Sequence, residues 1–168
     1  MAKKTETKKS AKESEGLETR KVVATNRKAF FEYHVLDKLE AGLKLNGNEV
    51  KSLRAGQCVI SDAYAMLDKK KSLAWLLNLQ IPEWNRGNQI DEHQPKRKRA
   101  LLLHKLEIKR LRAKLQEKGF TLIPLSIYFL RGWAKVELGI CKGKKQHDKR
   151  QSIKEKEAKR EIARRVKR

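Results

Sequence analysis

Cysteine, proline and glycine are scarce in this chain: two Cys, three Pro and nine Gly in 168 residues. Cys58 and Cys141 lack CxxC spacing, so neither a disulfide framework nor a zinc site is expected. No apolar run approaches the roughly 18 residues of a bilayer span. The start of the chain, Met1-Ala2-Lys3-Lys4-Thr5-Glu6-Thr7, is basic but leads into no apolar stretch, which argues against a secretory signal. Catalytic apparatus is equally sparse. The four histidines, His34, His93, His104 and His147, are scattered, with no i, i+4 pair among them. There is no Gly-rich loop ending in Lys-Ser/Thr and no Gly-x-Ser-x-Gly elbow. Asp91-Glu92 alone is a weak basis for a magnesium site. The expectation is a cytoplasmic protein without enzyme activity, catalytic residues, metal or other cofactor, and without a membrane partner.

What the chain has is positive charge. Lys and Arg number 42 against 20 Asp and Glu, a formal net charge of +22. Such an excess strains a compact state through self-repulsion unless a polyanion neutralises it. Its distribution suggests three parts. Residues 1–21 are net +3 with one large aliphatic side chain, Leu17; residues 22–140 are net +10 and contain all the aromatics; residues 141–168 are net +9. The two ends cannot bury enough apolar surface to offset chain entropy, so a disordered N-terminal segment and a basic, disordered C-terminal tail are expected around a folded 22–140 unit.

Within that unit the odd positions from Tyr33 to Leu45 are apolar in six of seven cases, a period of two that predicts a long strand. Gly42 inside it suggests a bulge or a bend. Asn46-Gly47 breaks the strand, and Asn48 is placed to cap a short helix over Glu49–Arg54 that Gly56 stops. Strand signals return at Asp62–Leu67 and Leu73–Ile81, with Lys69-Lys70-Lys71 between them as a hairpin. Residues 82–99 read as a loop. Ile108, Leu111 and Leu115 mark one side of a helix over about Leu101–Lys118. Two more strands, Thr121–Leu130 and Trp133–Ile140, meet at Arg131-Gly132. The pattern predicts a mainly β fold with short flanking helices: an OB-like closed antiparallel β-barrel, an architecture often used for oligonucleotides.

Several features favour RNA over bland alternatives. The stretch 96–118 has ten basic and two acidic side chains, and Lys96-Arg97-Lys98-Arg99 has no neighbouring carboxylates. A phosphate-tracking surface is therefore favoured over a solvated helix face. In Cys141–Arg150, Gly143 among lysines would let backbone approach a phosphate, and His147 would stack on a base; a generic basic patch is an equal reading on composition. In the tail, Ala158, Ile162 and Val166 fall at i, i+4 spacing, and Glu155–Lys159 and Glu161–Arg165 have helix-supporting spacing. A stripe so thin does not hold a helix in water but suits folding on RNA; the competing reading is a permanently disordered tail. Trp75 shares the alternating apolar phase and is expected in the core. Trp84 and Trp133 are expected on the surface, Trp133 beside Lys135.

Five segments occur in order: Asn26-Arg27-Lys28-Ala29, Glu40-Ala41-Gly42-Leu43, Glu49-Val50-Lys51-Ser52-Leu53-Arg54-Ala55-Gly56, Leu101-Leu102-Leu103-His104 and Gly143-Lys144-Lys145-Gln146-His147-Asp148-Lys149-Arg150. Together they resemble the small protein B family (SmpB), the SsrA-binding proteins of bacterial trans-translation. The resemblance runs from about Asn26 to Arg150. It implies an OB-like barrel, binding to the tRNA-like domain of transfer-messenger RNA (SsrA), and a tail that folds as a helix in the empty messenger channel of a stalled ribosome. The implied RNA-binding residues are Asn26, Glu40, Leu102 and Lys135. The implied contacts to the small-subunit decoding centre are Gly143, Lys144, His147, Asp148, Lys149 and Arg150. Asn26 would serve a base edge or 2′-OH, Lys135 a phosphate, and Glu40 base amino groups unless it forms a surface salt bridge. Elongation factor Tu is implied as a partner in the delivery complex, with the protein itself a monomer. Ala100 stands where many relatives have Lys, and the 69–71 hairpin lacks the usual Asp-Gly. A ribosome-associated RNA-binding or RNA chaperone protein is the alternative.

Overall fold

A computed structural model describes residues 20–68, 72–84, 94–117 and 119–146, together with Asp148, Glu157 and Arg164. The described residues form seven strands and three helices. In chain order they are β1 (Arg20–Thr25), α1 (Arg27–Glu32), β2 (Tyr33–Leu43), α2 (Gly47–Arg54), β3 (Tyr64–Leu67), β4 (Ala74–Leu77), β5 (Arg99–Leu102), α3 (Lys105–Gln116), β6 (Phe120–Leu130) and β7 (Trp133–Gly143). The 69–71 connection lies outside the described residues, although β3 and β4 do pair antiparallel on either side of it.

All pairings are antiparallel. Six strands pair in the sequence β6, β3, β4, β5, β2, β7, and β7 pairs again with β6. The long strand β6 thus holds β7 along one edge, while its other edge is shared by β3 near Leu122 and by β1 from Ser126 to Leu130. The β6–β7 hairpin turns on Arg131 and Gly132, both at positive φ (50° and 83°). Two consecutive residues in that region match the right-handed twist of a tight hairpin; Gly132 takes the conformation without strain.

Leu76, Leu79, Ile81, Leu122, Ile127, Val136 and Leu138 are fully or almost fully buried in the main core. Ala29, Ile123, Leu125 and Cys141 form a smaller cluster under α1, on the other face of the sheet. Two β-bulges, at Val35/Asp37 in β2 and Pro124/Ser126 in β6, divide the faces between the two clusters. A bulge inserts one residue and so reverses the in/out phase beyond it. Tyr33 and Val35 therefore pack on the small cluster, whereas Leu39, Ala41 and Leu43 enter the main core. The single alternating face expected for Tyr33–Leu45 is in fact two faces joined at a bulge.

Other expectations also shift. Trp75 is only half-buried, because Ala74 and Leu76 occupy the core phase; the phase reverses at Asn78 (φ 56°), after which Leu79 and Ile81 point inward. The folded unit begins at least two residues before residue 22, since Arg20 and Lys21 belong to β1. The helix cap before α2 is Asn46 rather than Asn48, its backbone N–H donating to Glu49 at 2.8 Å. Residues 99–102 are a strand, and the helix starts after His104.

The largest correction concerns Lys96–Arg99. Arg99 and Glu49 are completely buried and paired. Arg97 Nε (2.8 Å) and Arg99 Nε (2.9 Å) both donate to Glu49 Oε1, and Arg97 Nη2 also donates to Oε2. Arg99 further donates to the carbonyls of Leu79, Arg97 (3.2 Å) and Pro95 (2.9 Å). Two of the four cations assigned to a phosphate-tracking surface instead tie α2 to β5. Their carboxylate partner is distant in sequence, which is why local charge counting does not find it.

Candidate nucleic-acid interface

The sheet face turned away from the main core carries a connected polar cluster. Alternation puts Ser126 and Tyr128 of β6, Lys135 and Glu137 of β7, and Lys38 and Glu40 of β2 on this side, while Ile127, Phe129, Val136, Leu138 and Ala41 face the core. Register brings the pairs together: Tyr128 lies opposite Lys135, Glu40 opposite Glu137, and Gly42 opposite Lys135. Glu40 accepts from Lys135 Nζ through one carboxylate oxygen and from the Tyr128 hydroxyl through the other. Arg20 of β1 stacks on the Tyr128 ring at 3.7 Å and donates to Ser126 Oγ at 3.1 Å. Lys38 adds an ion pair to Glu137 at 3.7 Å.

Partial burial opposes ionisation of Glu40, but the hydrogen bonds from Lys135 and Tyr128 outweigh it and hold the carboxyl below its usual range. Burial and the adjacent Glu40 carboxylate push the Tyr128 phenol up. At neutral pH the cluster is therefore a fixed carboxylate holding an ammonium and a phenol in place. Glu40 remains more than a third exposed on its side chain, so a ligand can still reach it.

Beside this cluster, Gly42 of β2 pairs with Leu102 of β5. A Cβ on Gly42 would stand 3.1 Å from Leu102 Cβ, a tight contact that would make Leu102 shift by a few tenths of an ångström. Leu102 is 59% exposed. Glu40, Leu102 and Lys135 are thus gathered on one surface.

Asn26 is not on that surface. It is 1% exposed, accepts from Ala29 N at 2.9 Å as the cap of α1, and donates to the carbonyls of Pro124 (3.1 Å) and Ile60 (3.3 Å). Its backbone N–H reaches Leu125 O at 2.7 Å. In this arrangement it offers no atom to a base edge; it fixes the start of α1 over the small cluster.

At the end of β7, Gly143 pairs with Tyr33 and has open space around its Cα. The Lys144 N–H donates to Glu32 O at 2.9 Å and its ammonium to Phe30 O at 3.1 Å, closing the C-terminal end of α1. Asp148 accepts from Lys145 N at 3.2 Å and lies 3.4 Å from His34 Nε2. Gln146, Asp148, Glu157 and Arg164 have helical backbone. His147, Lys149 and Arg150 lie outside the described residues.

Sequence reasoning missed Arg20, Tyr128 and Ser126. Arg20 was hidden because Arg20-Lys21 reads as the end of a charged segment rather than an edge strand. Tyr128 sits in a run that is apolar except at Ser126, where only the bulge sets its face. Among the described residues no group of three or more His, Cys, Asp or Glu side chains is arranged to hold a metal, and no helix is long and apolar enough to cross a membrane. Burial pushes both Cys58 and Cys141 thiols up to about 11, away from nucleophilic reactivity.

Comparison with known proteins decides the family. The model of the SmpB protein family matches residues 23–168. The chain belongs to the SmpB family. An SsrA-binding protein of Salinispora tropica is 50% identical over 145 residues, covering 86% of this chain and 89% of its own. One from Acidothermus cellulolyticus is 51% identical with the same coverage. A solved structure described as "tmRNA-SmpB: a journey to the center of the bacterial ribosome" superposes with a TM-score of 0.61 at 42% identity, covering 77% of this chain and 93% of the other. The SmpB match begins three residues after Arg20, so the cation stacked on Tyr128 lies outside it.

Proposed function

We propose that this protein is the RNA-binding adaptor of trans-translation: it binds the tRNA-like domain of transfer-messenger RNA and brings it to stalled ribosomes. Membership of the SmpB family supports this, together with one structural observation. Glu40, Leu102 and Lys135, drawn from three strands and separated by up to 95 positions in the chain, meet on a single exposed surface. A held ammonium, a carboxylate with free lone pairs and an apolar contact are the groups that RNA backbone, base edges and sugars require. Asn26 acts away from this surface, by holding the start of α1. The ring of strand pairings is read as an OB-like closed barrel, which gives the surface its rigidity.

The second half of the activity lies in the chain after β7. Gly143, Lys144, His147, Asp148, Lys149 and Arg150 are assigned to the decoding centre, with Lys144 anchoring the start of this segment on α1. Residues 151–168 fold as a helix along the empty messenger channel, where phosphates neutralise their charge. The protein works as a cytoplasmic monomer, in a delivery complex with elongation factor Tu, and performs no bond-making step itself.

The two halves separate experimentally. Deleting residues 148–168 is expected to leave RNA affinity within a few-fold while abolishing peptide tagging on stalled ribosomes in a reconstituted translation system. Equal loss of both activities would rule out the two-surface assignment.

A further inference from the structure

Trp133 is the most exposed of the large hydrophobic side chains described, at 74%. It sits at the turn of the β6–β7 hairpin, held by the positive-φ pair Arg131-Gly132. An exposed indole forfeits its burial energy, and its apolar face with a polar N–H suits it to an interface; here it belongs to a larger apolar patch rather than standing alone. The space beside it is specific. Trp133 walls a groove of about 500 Å³ whose other apolar surfaces include Leu102, Leu45, Val50 and Phe129. Gly42 leaves the groove floor open, since it presents no side chain. Lys44 and Lys135 flank the groove, and the Arg54 guanidinium lies 5.7 Å from the Phe129 ring beneath it.

An aromatic wall, an apolar floor and flanking cations are the combination that takes an unstacked base together with its phosphates. We propose that this groove is a subsite for one unpaired nucleobase of the bound RNA, stacked on Trp133, with Lys135 and Lys44 beside its phosphates. The occupant is chosen by charge complementarity and by continuity: Lys135 belongs both to the groove and to the Glu40 cluster. The subsite deepens the RNA-binding reading and rests on it only for the identity of the RNA.

The test compares two polyanions, the tRNA-like domain of transfer-messenger RNA and heparin, which has no bases. Stacking on one base is worth roughly fivefold to hundredfold in affinity. Trp133→Ala is expected to lose that much for RNA and to leave heparin binding unchanged. The salt dependence of RNA binding should keep its slope, because no phosphate contact is removed. Trp133→Phe should retain most of the affinity. Unchanged RNA binding by Trp133→Ala, or equal loss for RNA and heparin, overturns the subsite. So does a smaller sedimentation coefficient for RNA-free Trp133→Ala, which would assign the groove to a second copy of the chain. If wild-type protein failed to prefer the tRNA-like domain over another structured RNA, yet Trp133→Ala lost both RNAs and kept heparin, the adaptor reading would fall and the subsite would stand.

Discussion

At the scale of single residues, the cations divide by whether a carboxylate is within reach. Arg99 has no exposure and Glu49 none, so their charges sit in the interior, where Arg99 donates to Glu49 and to the carbonyls of Leu79, Arg97 and Pro95. Removing one member of such a pair leaves an uncompensated buried charge, which costs roughly 3–5 kcal/mol. Glu49→Gln is expected to destabilise the protein by about that amount in urea unfolding, and replacing Glu49 and Arg99 together by apolar residues should recover much of it. Burial opposes the Glu49 charge, but Arg97, the Asn46 N–H and Arg99 prevail and hold its carboxyl below the usual range. The folded pKa is therefore lower than the unfolded one, about 4.3. This stabilisation is complete above the unfolded pKa and is lost as pH falls through the folded value. A wild-type acid unfolding curve, compared with that of Glu49→Gln, should differ at neutral pH and converge at low pH. Lys135 is the contrasting cation, paired only at the surface. Lys135→Ala should flatten the salt dependence of RNA affinity by about one phosphate contact while leaving stability nearly unchanged.

At the scale of elements, period and punctuation made β2, β6, β7, α2 and α3 legible in the sequence, because each carries an apolar alternation, a nearly continuous apolar run or helical spacing. The errors about which side chains face the core have one physical origin. Bulges at Val35/Asp37 and Pro124/Ser126 and the positive φ of Asn78 exchange inside for outside partway along a run. Nothing in an apolar run marks where the phase reverses. Helix α1 was missed because six residues are too few for a periodic signal, and its start is declared only by Asn26. That residue satisfies a helix N–H and two carbonyls at once. Asn26→Ala should lower stability by roughly 1–3 kcal/mol. Amide exchange should locate the loss in α1 and the adjoining Ile123–Leu125 stretch; uniform loss across the sheet would contradict this assignment.

At the scale of the whole molecule, the excess of +22 is unevenly used. Arg97 and Arg99 hold the fold together, and Lys144 closes α1. Of the residues that the family resemblance assigns to the tRNA-like domain, Glu40, Leu102 and Lys135 share one face, whereas Asn26 is buried at the start of α1. Their gathering was not visible from composition, since the contacts join strands far apart in the chain. It was visible from the motifs only by likeness to the family. The basic segment after β7 leaves from the opposite end of that strand to Lys135 and Trp133, so the two surfaces of the proposed function lie apart.

The central claim is that the face around Glu40, Leu102 and Lys135 recognises a particular RNA rather than negative charge in general. Competition binding at physiological salt tests it, with the tRNA-like domain of transfer-messenger RNA set against an unrelated structured RNA of equal length. Preference for the tRNA-like domain on the order of a hundredfold or more is predicted, as expected when specific contacts add to counterion release. Equal affinity for the two RNAs would contradict it and leave a general RNA chaperone as the better description.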